Sequence, residues 1–141
     1  MNADVVVCGV HPKAGESYVV VELKQWTHVT KLDGAEDVVL LDGDTERLHP
    51  VEQVRRYCSH ISEFIASLNG STEQLAGAGY LHNATDDGIR TLWNHPESET
   101  GRLFTGQRRG EFIDFLQSKI APKSGADAAD QLLSSAVRPS K

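Results

Sequence analysis

The chain has 141 residues, 39% hydrophobic and 24% charged, with a formal net charge of -6 and a pI near 5.4. That length is one domain's worth, with enough apolar side chains for a modest core, and the acidic balance argues against a histone-like or coat-type nucleic-acid binder, whose field is basic overall. An enzyme acting on nucleic acid needs only a local basic face, so that class stays open.

Taken in chain order, the opening MNADVVVCGV has no basic n-region, no sustained apolar h-region and no small-residue cleavage site, and no later run approaches the ~20 apolar residues of a membrane helix. A soluble cytoplasmic protein with no membrane partner is the expectation. Residues 3–9 (ADVVVCG) are a β-branched run ending in Gly, residues 11–16 (HPKAGE) carry turn chemistry, and residues 17–26 (SYVVVELKQW) form a second run, together a β-hairpin. Both runs are nearly all apolar rather than alternating, which predicts strands covered on both faces by helices. Residues 27–46 then turn acidic around a short run at 38–41, read as one small extra strand in an exposed excursion. Over 50–68, Val51, Val54, Cys58, Ile61, Ile65 and Leu68 recur at steps of three and four, a buried helical stripe opened by Pro50. Residues 69–71 end that helix. A Gly-rich strand is predicted at 75–82, a short helix capped by Asp86 and Asp87 at 86–93, a loop at 95–101, a short strand at 102–105 and a helix at 107–120 with Phe112, Ile113, Phe115, Leu116 and Ile120 on its apolar side. A last helix over 126–137, capped by Ser124, follows the break at 122–125. Cys8 and Cys58, the only cysteines, fall in apolar patterns and read as reduced core thiols.

Chemistry concentrates at the end of the second strand. Glu22 and Lys24 alternate with Leu23, so the two charges share one face while Leu23 points into the other layer. Antiparallel pairing brings the start of the first strand beside the end of the second, and hence Asp4 beside Glu22. Two carboxylates at bridging distance repel each other unless a cation lies between them, and all-oxygen ligands suit Mg²⁺ or Mn²⁺. Such an ion polarises a phosphate and acidifies a bound water, which a neighbouring lysine can orient. Read alone, Glu22 and Lys24 are better explained as a structural same-face pair at a strand end.

This D…ExK pattern resembles the PD-(D/E)xK nuclease superfamily, whose fold is a central mixed sheet flanked by helices. Gln53 and Tyr57 fit the QxxxY motif that RecB-type members carry on the helix after the ExK strand; four residues apart, they share one helical face. VVVELKQW, HPVEQVRRY, GYLHNA, ETGRLFTGQRRGEF and ADQLLSSAVRPSK together resemble the N-terminal region of bacterial Schlafen group 3-like DNA/RNA helicases, where a nuclease-like domain precedes a P-loop ATPase. The resemblance implies a restriction-endonuclease-like α/β domain over 1–121 and, over 122–141, a helix that begins a linker to an ATPase domain. No GxxxxGK[ST] occurs, so no ATPase activity is carried over. The superfamily core also begins with a helix and a strand ahead of the Asp, and here only three residues precede Asp4; the expectation is a domain lacking that helix and strand.

The implied activity is metal-dependent hydrolysis of phosphodiester bonds in DNA, or less favourably RNA. Asp4, Glu22 and the Leu23 carbonyl would hold the metal, Mg²⁺ or Mn²⁺; Lys24 would orient the attacking water; Gln53, Tyr57 and Arg56 would meet the nucleic acid. The alternative is a catalytically inactive nucleic-acid-binding or docking module for an ATPase or helicase domain. Arg47, Arg55, Arg56, Arg102, Arg108 and Arg109 are candidate phosphate contacts. His82 and Asn83, at a strand end, are candidates to reach the site. His49, His60 and His95 lack the spacing and companions of a zinc site, neither cysteine has a CxxC partner, and no zinc is expected.

Overall fold

The computed structural model describes residues 3–11, 15–67 and 75–120, with side chains described over 17–67 and 75–120. The element order is β1 (Ala3–His11), β2 (Gly15–Lys24), β3 (Val29–Lys31), β4 (Val38–Leu41), β5 (Thr45–Leu48), α1 (Pro50–Ser67), β6 (Leu75–Leu81), β7 (Arg102–Thr105) and α2 (Arg109–Lys119). The chain is a mixed α/β protein. Its main sheet has the order β1-β2-β6-β7: β1 and β2 pair antiparallel, while β6 runs parallel to β2 and β7 parallel to β6. A parallel return needs a crossover, and α1 supplies it between β2 and β6.

β2 is therefore an interior strand, which is why its valines run without polar alternation. Its even-numbered residues face α1: Tyr18 and Val20 pack with Val54, Cys58, Ile61, Ile65 and Leu75. The odd-numbered ones face α2: Val19 and Val21 pack with Ala76, Ala78, Phe104, Phe112 and Phe115, and Leu23 lies against that cluster. β6 admits α1 at close range because it offers glycine on that face. A Cβ on Gly77 would lie 2.5 Å from Val54 Cγ1 and 2.7 Å from Cys58 Sγ, and one on Gly79 would lie 3.2 Å from Pro50 Cβ. Glycine here is a packing requirement of the helix-to-sheet contact.

The acidic excursion differs from its expected form. In place of one exposed strand, β3, β4 and β5 form a three-stranded antiparallel sheet. Asp42 and Gly43 take positive φ values of 55° and 83° between β4 and β5, the backbone that an Asp-Gly hairpin turn requires. Val29 and Val39 anchor this sheet in a core shared with Trp26, Val51, Leu81, Ile89, Leu92 and Leu103. Only its outward residues carry the acidic character. The predicted helix at 86–93 is a 3-10 turn at Arg90–Asn94 with no side-chain cap; Asp86 instead accepts from Thr105 Oγ1 at 2.7 Å and pairs with Arg108 at 3.1 Å. Five residues are too few for an α-helix to repay its nucleus, and the tighter turn suffices. Another 3-10 turn, Gly106–Arg108, precedes α2, which starts two residues later than its pattern suggested.

No described helix is long and apolar enough to cross a membrane. The expected helix at 126–137, Leu68, the helix end at 69–71 and the division at residue 121 lie outside the described residues, as does the side chain of Cys8.

Candidate functional site

The end of β2 lies under the first turns of α1. Glu22 is paired in register with Gly79 and Lys24 with Leu81, and Pro50 passes directly over Gly79. Both charged side chains face that helix and are closed off from solvent, Glu22 at 0% and Lys24 at 1% exposure. Lys24 Nζ sits 2.9 Å from Glu22 Oε1 and donates to Gln53 Oε1 at 3.0 Å; the indole of Trp26 lies 5.0 Å from the same ammonium. Three side chains, from β2, its C-terminal extension and α1, thus converge on one cation. Among the described residues, neither carboxylate oxygen of Glu22 accepts an aligned hydrogen bond, so its charge is balanced by the ammonium alone. A buried carboxylate with unsatisfied lone pairs is costly, and it is the donor type that a hard cation takes.

Asp4 is the direct cross-strand partner of Glu22 in the backbone register, and Ala3 that of Leu23. The side chain of Asp4 lies outside the described residues. Gln53 meets Lys24 rather than the surface. Tyr57 is half-buried against the Tyr18–Val20–Val54–Cys58 cluster, one helical turn from Gln53. Arg56 is largely exposed, with its guanidinium 3.6 Å from Glu52.

The candidate phosphate contacts are dispersed. Arg55 pairs with Glu52 and donates to the Pro96 carbonyl; Arg102 pairs with Glu97 and lies over Phe104 on the α2 side; Arg108 stacks on Trp93 and pairs with Asp86. His82 is exposed and leans on the Tyr80 ring, which belongs to the α2 side of the sheet, the face opposite Glu22 and Lys24.

A second charged cluster has no counterpart among the sequence-derived candidates. Asp37, ahead of β4, Glu52, in the first turn of α1, and His95, after the 3-10 turn, bring one ligand atom each to within 4.8 Å of one another. His95 Nε2 is 3.4 Å from Asp37 Oδ1 and 3.5 Å from Glu52 Oε2. The three line a cleft of about 640 Å³ together with His49, Arg55, Asn94 and Pro96. His49 lies behind His95, ring centroids 4.5 Å apart. Its Nδ1 accepts from the Val51 amide at 3.0 Å, so its Nε2 carries the proton and donates to the Leu92 carbonyl at 3.0 Å. Burial lowers its pKa from 6.5 to about 4, holding it neutral. The advance signal for this cluster was residue type alone: its members stand far apart in sequence, His95 coming 58 positions after Asp37.

Elsewhere on α1, burial raises the Cys58 thiol to about 12, an inert core sulfur. Compared with known protein families, with curated proteins and with solved structures, the chain has no match.

Proposed function

We propose that this chain is a metal-dependent nuclease-like domain of restriction-endonuclease type, acting on phosphodiester bonds of DNA in preference to RNA. The observation that carries the reading is the buried Glu22–Lys24 pair held by Gln53, with Asp4 opposite Glu22 in the strand register. Glu22 and Lys24 belong to the D…ExK pattern and Gln53 to QxxxY, and these three side chains meet at one strand end. A mixed sheet in which the helix after the ExK strand leads to a parallel neighbour of that strand accords with it.

The donor set fits a hard divalent cation. Glu22 offers two oxygens without aligned donors, and a cation beside them would relieve the uncompensated lone pairs. Asp4, Glu22 and the Leu23 carbonyl would hold Mg²⁺ or Mn²⁺, which supplies Lewis acidity toward a phosphate oxygen and a more acidic bound water. Gln53 holds the Lys24 ammonium by its amide oxygen and fixes where that charge sits. Lys24 orients the water and offsets charge on the phosphorane-like transition state. The apolar surround of Trp26 and the α1 stripe keeps the local dielectric low and strengthens each of these interactions. Tyr57 and Arg56 lie on the same helix, and Arg56 is exposed enough to meet a backbone phosphate.

A second reading, a catalytically silent nucleic-acid-binding or docking module for an ATPase partner, is favoured by one observation: Glu22 and Lys24 are already mutually compensated and shut off from solvent. Incubation of purified protein with supercoiled plasmid and Mn²⁺ separates the two. Nuclease activity predicts nicking that disappears in Glu22→Ala and Lys24→Ala and on chelation. Equal nicking by all three proteins marks contamination and sinks the proposal. No nicking together with metal-independent, salt-sensitive DNA binding selects the silent module.

A further inference from the structure

We infer that Asp37, Glu52 and His95 form a binding site for a divalent transition cation of the Zn²⁺ type, chemically separate from the all-oxygen site proposed around Glu22. The spacing supports this. Ligands about 2.1 Å from a tetrahedral Zn²⁺ are separated by about 3.4 Å. His95 Nε2 lies 3.4 Å from Asp37 Oδ1 and 3.5 Å from Glu52 Oε2, so two edges of such a tetrahedron are already in place.

The orientation of His95 is a second, independent observation. Its side chain is only 9% exposed, and its Nδ1 lies 3.2 Å from the Pro96 carbonyl, an oxygen that can only accept. Nδ1 therefore carries a hydrogen, and Nε2 faces one oxygen each of Asp37 and Glu52. A ring nitrogen between two carboxylates calls for a cation there, either a proton on Nε2 or a metal; Arg55 reaches only Glu52 Oε2, from its outer side. Donation of the far ring N–H to a backbone carbonyl is the arrangement that orients metal-bound histidines. Behind it, His49 is locked neutral by the Val51 amide and the Leu92 carbonyl and adds no positive charge against the ion. Arg55 holds Glu52 from one side, 3.3 Å from Oε2, and does not reach the triad's other two ligand atoms in any ion pair.

The three ligands come from three separate parts of the chain: the β3–β4 connection of the small antiparallel sheet, the first turn of α1, and the segment between the 3-10 turn and β7. A bound ion would tie these together at the mouth of the cleft, and its fourth position would open into that cleft. The imidazole selects against Mg²⁺, which prefers all-oxygen ligation, and in favour of Zn²⁺ or its spectroscopic substitute Co²⁺.

Titration of the whole chain with ZnCl₂ at neutral pH, followed by calorimetry, and with CoCl₂, followed by visible absorption, tests the site. The expected result is one saturable Zn²⁺ equivalent per chain that excess Mg²⁺ does not displace. Loss of an outer-shell partner costs about 10- to 100-fold in affinity, and loss of a ligand through Asp37→Asn or His95→Gln should cost at least as much. The Co²⁺ bands should fade in both variants and persist in His60→Ala, whose exposed imidazole lies on the far part of α1. No saturable binding, or affinity unchanged in Asp37→Asn, overturns the inference. Asp37 is half-exposed, so that variant stays informative if His95→Gln does not fold. Plasmid nicking in Mn²⁺ reports on the Glu22 site alone, and the two proposals can therefore fail separately.

Discussion

The two charged clusters flanking the start of α1 are built on opposite principles. Glu22, Lys24 and Gln53 form a dry cluster: two residues come from one strand end and are closed off from solvent, and the third, partly exposed, comes from the helix laid over it. Asp37, Glu52 and His95 form a wet one, assembled from distant parts of the chain at the wall of an open cleft. In the first, each charge depends on the other because water cannot replace a missing partner. In the second, Arg55, Arg56 and His95 all pair with Glu52, so no single contact dominates there. The same residue chemistry is thus a structural obligation in one place and an open, multiply paired cluster in the other.

The largest effect should come from breaking the dry pair. Lys24→Met removes the ammonium and strands the Glu22 carboxylate, and breaking such a pair costs about 3–5 kcal/mol. Urea unfolding should show that loss at an unchanged slope, and a double variant, Glu22→Leu with Lys24→Met, should recover much of it. If Lys24→Met alone is neutral, the cluster is more hydrated than its burial indicates.

A smaller effect, dependent on pH, belongs to the wet side. His49 is held near pKa 4 in the fold against 6.5 when unfolded. The unfolded chain therefore binds more protons between those values, and stability falls as pH drops from 6.5 toward 4, by up to about 3 kcal/mol, with full stability above 6.5. Asp37 opposes this shift, while His95 and Arg55 reinforce it. Unfolding measured across that range in the presence of a chelator should show the slope, and His49→Asn, which keeps an acceptor for the Val51 amide, should flatten it. An equal slope in the variant would assign the titration elsewhere.

The smallest effect should be at the rim. Arg56→Ala removes an ion pair to Glu52 from a largely exposed side chain, and a change below about 1 kcal/mol is expected in thermal unfolding. A larger loss would mean that Arg56 holds Glu52 in place for the cleft cluster.

Local pattern determined much of this molecule. The valine runs, the α1 stripe and the Gly-rich β6 are elements whose periodicity or composition leaves few alternatives, and the placing of Glu22 and Lys24 on one face with Leu23 on the other follows from strand alternation alone. β4 and β7 have the bounds that their short apolar runs suggest. What needed the tertiary structure was whatever depends on partners far away in sequence. β3 and β5 are three and four residues long; both pair with β4, and Val29 of β3 shares a core with Trp26 and Ile89. The 3-10 turn at Arg90–Asn94 is set by packing of Ile89 and Leu92 rather than by an Asp cap. Gln53 could be placed on a polar row from its spacing to Tyr57, yet its amide meets Lys24 because α1 lies across Gly77 and Gly79 at that height. The Asp37–Glu52–His95 cluster has no spacing rule at all. Two connecting segments and a helix start meet there over the packed core, and chain order carries no record of that convergence.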